Sequence, residues 1–159
     1  MDKISYPVKG SCRCGKLEIA LAAPPVLTAA CHCRGCQKMS SSAFSLTAMC
    51  KSDNFRVVRG TPVKGGAQGP ELDHFFCPDC KTWMFTRIIG MDDFVNVRPT
   101  LFDQKSLATP FIETMTSEKL PWVSIPAQHS FTGFPDADDF MKLLDDFSQT
   151  QDQQGSRRG

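Results

Sequence analysis

Three short clusters of cysteine, Cys12/Cys14, Cys31/Cys33/Cys36 and Cys77/Cys80, constrain this chain more than any other feature. Cys-x-Cys and Cys-x-x-Cys pairs bring two sulfurs to one point at a backbone knuckle, whereas structural disulfides join distant segments. The opening residues Met1-Asp2-Lys3-Ile4-Ser5-Tyr6 contain no apolar stretch of the export type. A reducing, cytoplasmic setting is therefore expected, in which clustered thiols stay reduced and bind zinc.

Ligand counting divides the clusters. A structural zinc takes four ligands in a tetrahedron, while a catalytic zinc keeps three and an open position. Two pairs make one closed site, and a triplet makes one site with a free position. The partition Cys12, Cys14, Cys77 and Cys80 would clamp the N-terminal region to a segment about 65 residues later. Spacing alone also allows a site from Cys12, Cys14, Cys31 and Cys33. In Cys31-His32-Cys33-Arg34-Gly35-Cys36, three sulfurs within six residues cannot fall on one side of a strand, so the segment must coil around a point, with Gly35 supplying backbone freedom. An ion there could bind a thiol and lower its pKa. A second structural site completed by His32, Cys50 or a water is the alternative. His32 is expected to point away from the metal. His74, His129 and Cys50 read as two polar surface residues and a buried small hydrophobe.

Around these clusters the chain reads as short strands. Lys16 to Leu21, Val26 to Ala30, Phe44 to Met49, Phe55 to Arg59, Leu72 to Phe76, Trp83 to Ile88, Phe94 to Val97 and Phe111 to Met115 carry strand patterns bounded by turn residues. Arg34 to Met39 suits one turn of helix, and Lys64 to Pro70 suits a mobile loop. Ala137 to Phe147 is the one convincing helix, with Phe140, Leu143, Leu144 and Phe147 on one face. These readings give one domain over residues 1–148 and a disordered polar tail over 149–159. A net charge of +1 and no basic stripe predict no nucleic-acid partner. No long apolar run predicts a membrane span.

The order Gly10-Ser11-Cys12-Arg13-Cys14-Gly15, Cys31-His32-Cys33-Arg34-Gly35-Cys36-Gln37-Lys38 and Phe76-Cys77-Pro78-Asp79-Cys80 resembles the glutathione-dependent formaldehyde-activating enzyme family. That group is also described with centromere protein V. Val95-Asn96-Val97-Arg98-Pro99-Thr100-Leu101-Phe102-Asp103 and the Pro121-Trp122 region are similar to that family's following segments. The resemblance spans roughly residues 8 to 135. It implies a mainly β, Mss4-like fold of small antiparallel sheets around zinc, with a short C-terminal helix. It implies two zincs per chain, a structural one on Cys12, Cys14, Cys77 and Cys80 and a second on Cys31, Cys33 and Cys36 near glutathione. The activity implied is a carbon–sulfur lyase acting on a thiol–aldehyde adduct such as S-hydroxymethylglutathione, with glutathione as co-substrate. Lys81 is a departure, because the family carries Gly after the last cysteine; a positive φ there costs a lysine about 1 kcal/mol. Arg34, Lys38 and Arg98 are the candidates for glutathione's carboxylates, and spacing does not choose among them.

Two other functions compete. One is a non-catalytic zinc-stabilised binding module. The other is a thiol redox enzyme, which needs a reactive cysteine outside the metal clusters and has Cys50 as its candidate.

Overall fold

Burial alternates along some strands of this chain and runs through consecutive residues in others, as in residues 19–21 and 84–86. The structure, a computed structural model, describes residues 3–67 and 69–156. A three-stranded antiparallel sheet joins β1 (Val8–Ser11), β2 (Glu18–Leu21) and β5 (Phe55–Arg59) in the order β1-β2-β5. The larger sheet adds β3 (Leu27–Cys31), β4 (Ser45–Lys51), β6 (Val63–Gly65), β7 (Leu72–Phe76), β8 (Trp83–Ile88), β9 (Phe94–Val97), β10 (Ile112–Thr114) and β11 (His129–Ser130). Its order is β11-β10-β3-β4-β9-β8-β7-β6, antiparallel except where β10 lies parallel to β3 and to β11. The helices are α1 (Arg34–Ser40) and α2 (Ala137–Ser156). The mainly β expectation with a C-terminal helix therefore holds in architecture.

Leu17, Ile19 and Leu21 meet Met84, Val95 and Val97 in the main core, all essentially inaccessible to solvent. Burial of each such side chain stabilises the fold by about 1.5–3 kcal/mol. A second cluster packs the α2 stripe, Leu143 and Phe147, on Leu27, Phe111 and Ile112. Gly10 is required by close approach: a Cβ there would lie 2.9 Å from the Leu101 carbonyl and 3.0 Å from the Phe102 ring. That contact holds β1 against the segment that follows Arg98.

Several expectations change. Lys64 and Gly65 are not in a loop; they pair with Phe75 and His74 in β6. The strands β1 and β11 are too short to give a pattern in the sequence. The polar stretch 149–156 is the continuation of α2, not a disordered tail, while 157–159 lie outside the described residues. The helix-compatible glutamines and local bonds, Gln149 to Asp145 and Thr150 to the Asp146 carbonyl, accompany the helix beyond its last buried residue. No helix among the described residues is long and apolar enough to cross a membrane.

Candidate metal centres

All eight cysteines are free thiols. The fold gathers seven of them into two groups, Cys12/Cys14/Cys77/Cys80 and Cys31/Cys33/Cys36, with the sulfurs of each group within 4.8 Å of one another. This excludes the alternative grouping of Cys12 and Cys14 with Cys31 and Cys33.

In the first group, two knuckles face each other. Cys12 and Cys14 lie in the turn between β1 and β2, and Cys77 and Cys80 in the turn between β7 and β8. Each turn is closed by backbone bonds, Cys12 N–H to the Leu17 carbonyl at 2.9 Å and Cys77 N–H to the Thr82 carbonyl at 3.0 Å. Each needs one residue at positive φ, supplied by Gly15 (φ 78°) and Lys81 (φ 61°). Lys81 thus occupies the left-handed position that its departure from the family pattern foretold. The Thr82 hydroxyl joins the halves, accepting from Arg13 N–H at 3.1 Å and lying 3.1 Å from Cys80 Sγ.

The sulfur separations fit an ion. A tetrahedral zinc with ordinary Zn–S bonds spaces its sulfurs about 3.8 Å apart. Cys12 Sγ lies 3.5 Å from Cys14 Sγ, and Cys14 Sγ lies 3.8 Å from Cys77 Sγ. Leu17 N–H donates to Cys12 Sγ at 3.2 Å, a bond suited to a thiolate. Packing four thiols together splits their ionisation. Hydrogen bonding from Thr82 holds Cys80 down at about 5. For Cys14 the Lys16 amide pulls downward, yet burial and the neighbouring sulfurs prevail and push it up to about 11. A divalent cation relieves that repulsion.

The second group is built by a change from strand to helix. Cys31 ends β3 between Ser45 of β4 and Thr114 of β10. Cys33 is the N-cap of α1, with extended backbone, and accepts from Cys36 N–H at 3.3 Å. The coil therefore comes from the Cys33 junction and not from Gly35, which sits inside α1 without a positive φ. A Cβ at Gly35 would come no nearer than 3.9 Å to Cys33 Sγ, an ordinary contact. The Cys36 hydrogen bond lowers Cys31 to about 5, and the same pairing drives Cys36 upward.

No fourth ligand from a His, Cys, Asp or Glu of the described residues joins these three. His32 is fully buried but turns to Glu113, with Nε2 2.7 Å from Oε2. Glu113 also accepts from Lys119 at 3.0 Å and from Ser130 at 2.6 Å. Gln37 donates to the carbonyls of His32 and Glu118, and Arg34 N–H donates to the Glu118 carboxylate. The cysteine loop is thus tied to the 113–118 segment. Cys50 lies in the core with no solvent exposure and belongs to neither sulfur group.

Two placements depart from the sequence reading, which put His74 and His129 at the surface. His74 is buried, with Nδ1 2.8 Å from the Thr86 hydroxyl. His129 belongs to β11 and packs edge-on to Phe111. Among the three cationic candidates, Arg34 bonds Gln37 and only Arg98 is buried. Thr82, Trp83 and Glu113 escaped the sequence reading because nothing local marks them.

Fold and site together define a β-rich protein with one four-thiolate and one three-thiolate cluster able to hold metal. The sequence model of the glutathione-dependent formaldehyde-activating enzyme family matches residues 7–118, and the chain belongs to that family. A solved structure of a Rhodobacter sphaeroides protein is similar in fold, with TM-score 0.50 and 22% identity over 60% of this chain and 88% of that one. No curated protein matches this chain.

Proposed function

We propose that the chain is a zinc-dependent carbon–sulfur lyase acting on a glutathione–aldehyde adduct such as S-hydroxymethylglutathione. The observation that carries the reading is the three-sulfur group, which converges without a fourth protein ligand while His32 is held elsewhere by Glu113. All-sulfur donor sets suit zinc, and a set of three leaves it able to take one more ligand. Zinc, when bound there, supplies a Lewis-acid position that stabilises a thiolate at neutral pH. In this reading Cys12, Cys14, Cys77 and Cys80 hold a second, structural ion.

The chain's own residues set the cluster's shape. Cys31 is fixed by pairing with β4 and β10, Cys33 by capping α1, and the loop by Glu113, Gln37 and Glu118. The reaction needs little besides a held sulfur. The carbon–sulfur bond of the adduct breaks, its hydroxyl loses a proton as the aldehyde carbonyl forms, and the released sulfur leaves as thiolate. The reverse direction adds the thiolate to formaldehyde.

Turnover of S-hydroxymethylglutathione by zinc-loaded protein tests this, with zinc content measured alongside. The expected result is turnover above the uncatalysed rate, two zincs per chain, and loss of turnover in Cys33→Ser with one zinc retained. Unchanged turnover in Cys33→Ser would sink the proposal, and no turnover above the uncatalysed rate in the native chain would favour a zinc-stabilised binding module.

A further inference from the structure

A cavity of about 360 Å³ is lined by residues that touch each of the two cysteine groups. Ser45 lines it and bonds to Cys36, while Thr82 lines it from the other side beside Cys80. Hydroxyls of Ser40, Ser42 and Thr100 add to its wall. Among the described residues Arg98 is the one cationic residue lining it, and no carboxylate does so.

Arg98 follows β9 and is only 8% exposed. Its guanidinium lies 4.1 Å from the centre of the Trp83 ring. Trp83 is itself held, with Nε1 donating to the Thr86 hydroxyl at 3.2 Å and His74 against its ring. Hydrogen bonding of Arg98 is incomplete. One terminal N–H reaches the Asn96 carbonyl at 3.3 Å, and the buried Nε has no acceptor. No carboxylate of the described residues pairs with it. Burial draws its pKa down to about 10, against the opposing pull of Cys36 and Cys31, so it remains charged at neutral pH.

A buried guanidinium with no carboxylate paired to it and an Nε without an acceptor is costly for a fold to keep. The group is a planar fork of donors matched to a carboxylate, and here its platform is rigid before any ligand arrives. Arg34 and Lys38, the other cationic candidates, do not line the cavity.

We infer that Arg98 is a specificity-determining residue, seating a carboxylate of the ligand in this cavity while the ligand's sulfur lies toward Cys31, Cys33 and Cys36. The inference rests on the thiol-adduct reading above and adds the residue that selects among thiols. A neutral thiol of similar size leaves the guanidinium unpaired, so charge governs selection.

Calorimetry of zinc-loaded protein with S-methylglutathione and its diethyl ester tests the seat. S-methylation removes the thiol, so the carboxylate contacts are read apart from the metal. The acid is expected to bind at least tenfold more tightly than the diester. Arg98→Gln should weaken the acid by at least tenfold and leave the diester unchanged, with Arg98→Lys between. Should Arg98→Gln fail to fold, the comparison of acid and ester on the native chain decides alone. Equal affinities, or no binding of either, overturn the inference. Tight binding of the acid without cleavage of S-hydroxymethylglutathione leaves the seat standing and removes the lyase reading. Equal kcat/KM for the formaldehyde adducts of glutathione and its diester does the reverse.

Discussion

His32 Nε2 lies 2.7 Å from Glu113 Oε2, and both side chains are buried. A histidine between two cysteines of a metal cluster is thereby taken out of the ligand set by a residue from β10. The same carboxylate holds Lys119 and Ser130, so one side chain joins the cysteine loop to the C-terminal third of the chain.

Glu113→Gln should lower stability by about 2–3 kcal/mol, because a buried charge-assisted network loses its negative charge and one of its two accepting oxygens. Burial pushes the Glu113 carboxyl upward, but hydrogen bonds from Ser130, Lys119 and His32 outweigh it and hold it below the ordinary 4.5. The folded state thus favours the ionised form. That contribution is complete above 4.5 and is lost as pH falls through the lower folded value. Urea denaturation should show the gap between native chain and variant narrowing below pH 4.5.

The two cysteine groups should separate by stability. Cys77 is fully buried and joins segments 63 residues apart through its contact with Cys14, so Cys77→Ser should lower the thermal midpoint by at least about 10 °C. Cys33 is half-buried at a helix cap, and Cys33→Ser should cost no more than about 4 °C. Chelation of the native protein should reproduce the larger shift in a thermal melt.

Lys81→Gly should stabilise the protein by about 0.5–1 kcal/mol, because glycine adopts φ 61° without the steric cost lysine bears. The expected rise in midpoint is about 2–4 °C. An unchanged or lowered midpoint would show that the knuckle tolerates lysine without strain.

Cys50 should resist alkylation in the native protein at neutral pH. Burial pushes its thiol up to about 12, and its side chain has no solvent exposure. Iodoacetamide treatment of zinc-loaded protein followed by mass spectrometry should leave Cys50 unmodified until the chain is unfolded. Rapid native labelling would restore the thiol redox reading.

Much of the fold was legible because its signals are local. Period-two alternation marked Lys16 to Leu21 and Phe44 to Met49, which fall on β2 and β4, and the apolar stripe marked α2. The extension of α2 to Ser156 was hidden because exposed helix leaves no apolar pattern. Strands of two to four residues, such as β11 and β1, owe their existence to partners distant in sequence.

By itself the sequence determined the two kinds of knuckle and the number of sulfurs each could offer, because these follow from spacing, while the resemblance to the family pointed to a positive φ at Lys81. Only the tertiary structure decided which pairs meet, that His32 turns to Glu113, and that Arg98 lies over Trp83 in a cavity without an acid. Those relationships join residues from different strands. Their chemistry depends on burial and on the partner each group finds, and neither is encoded in the spacing of a single segment.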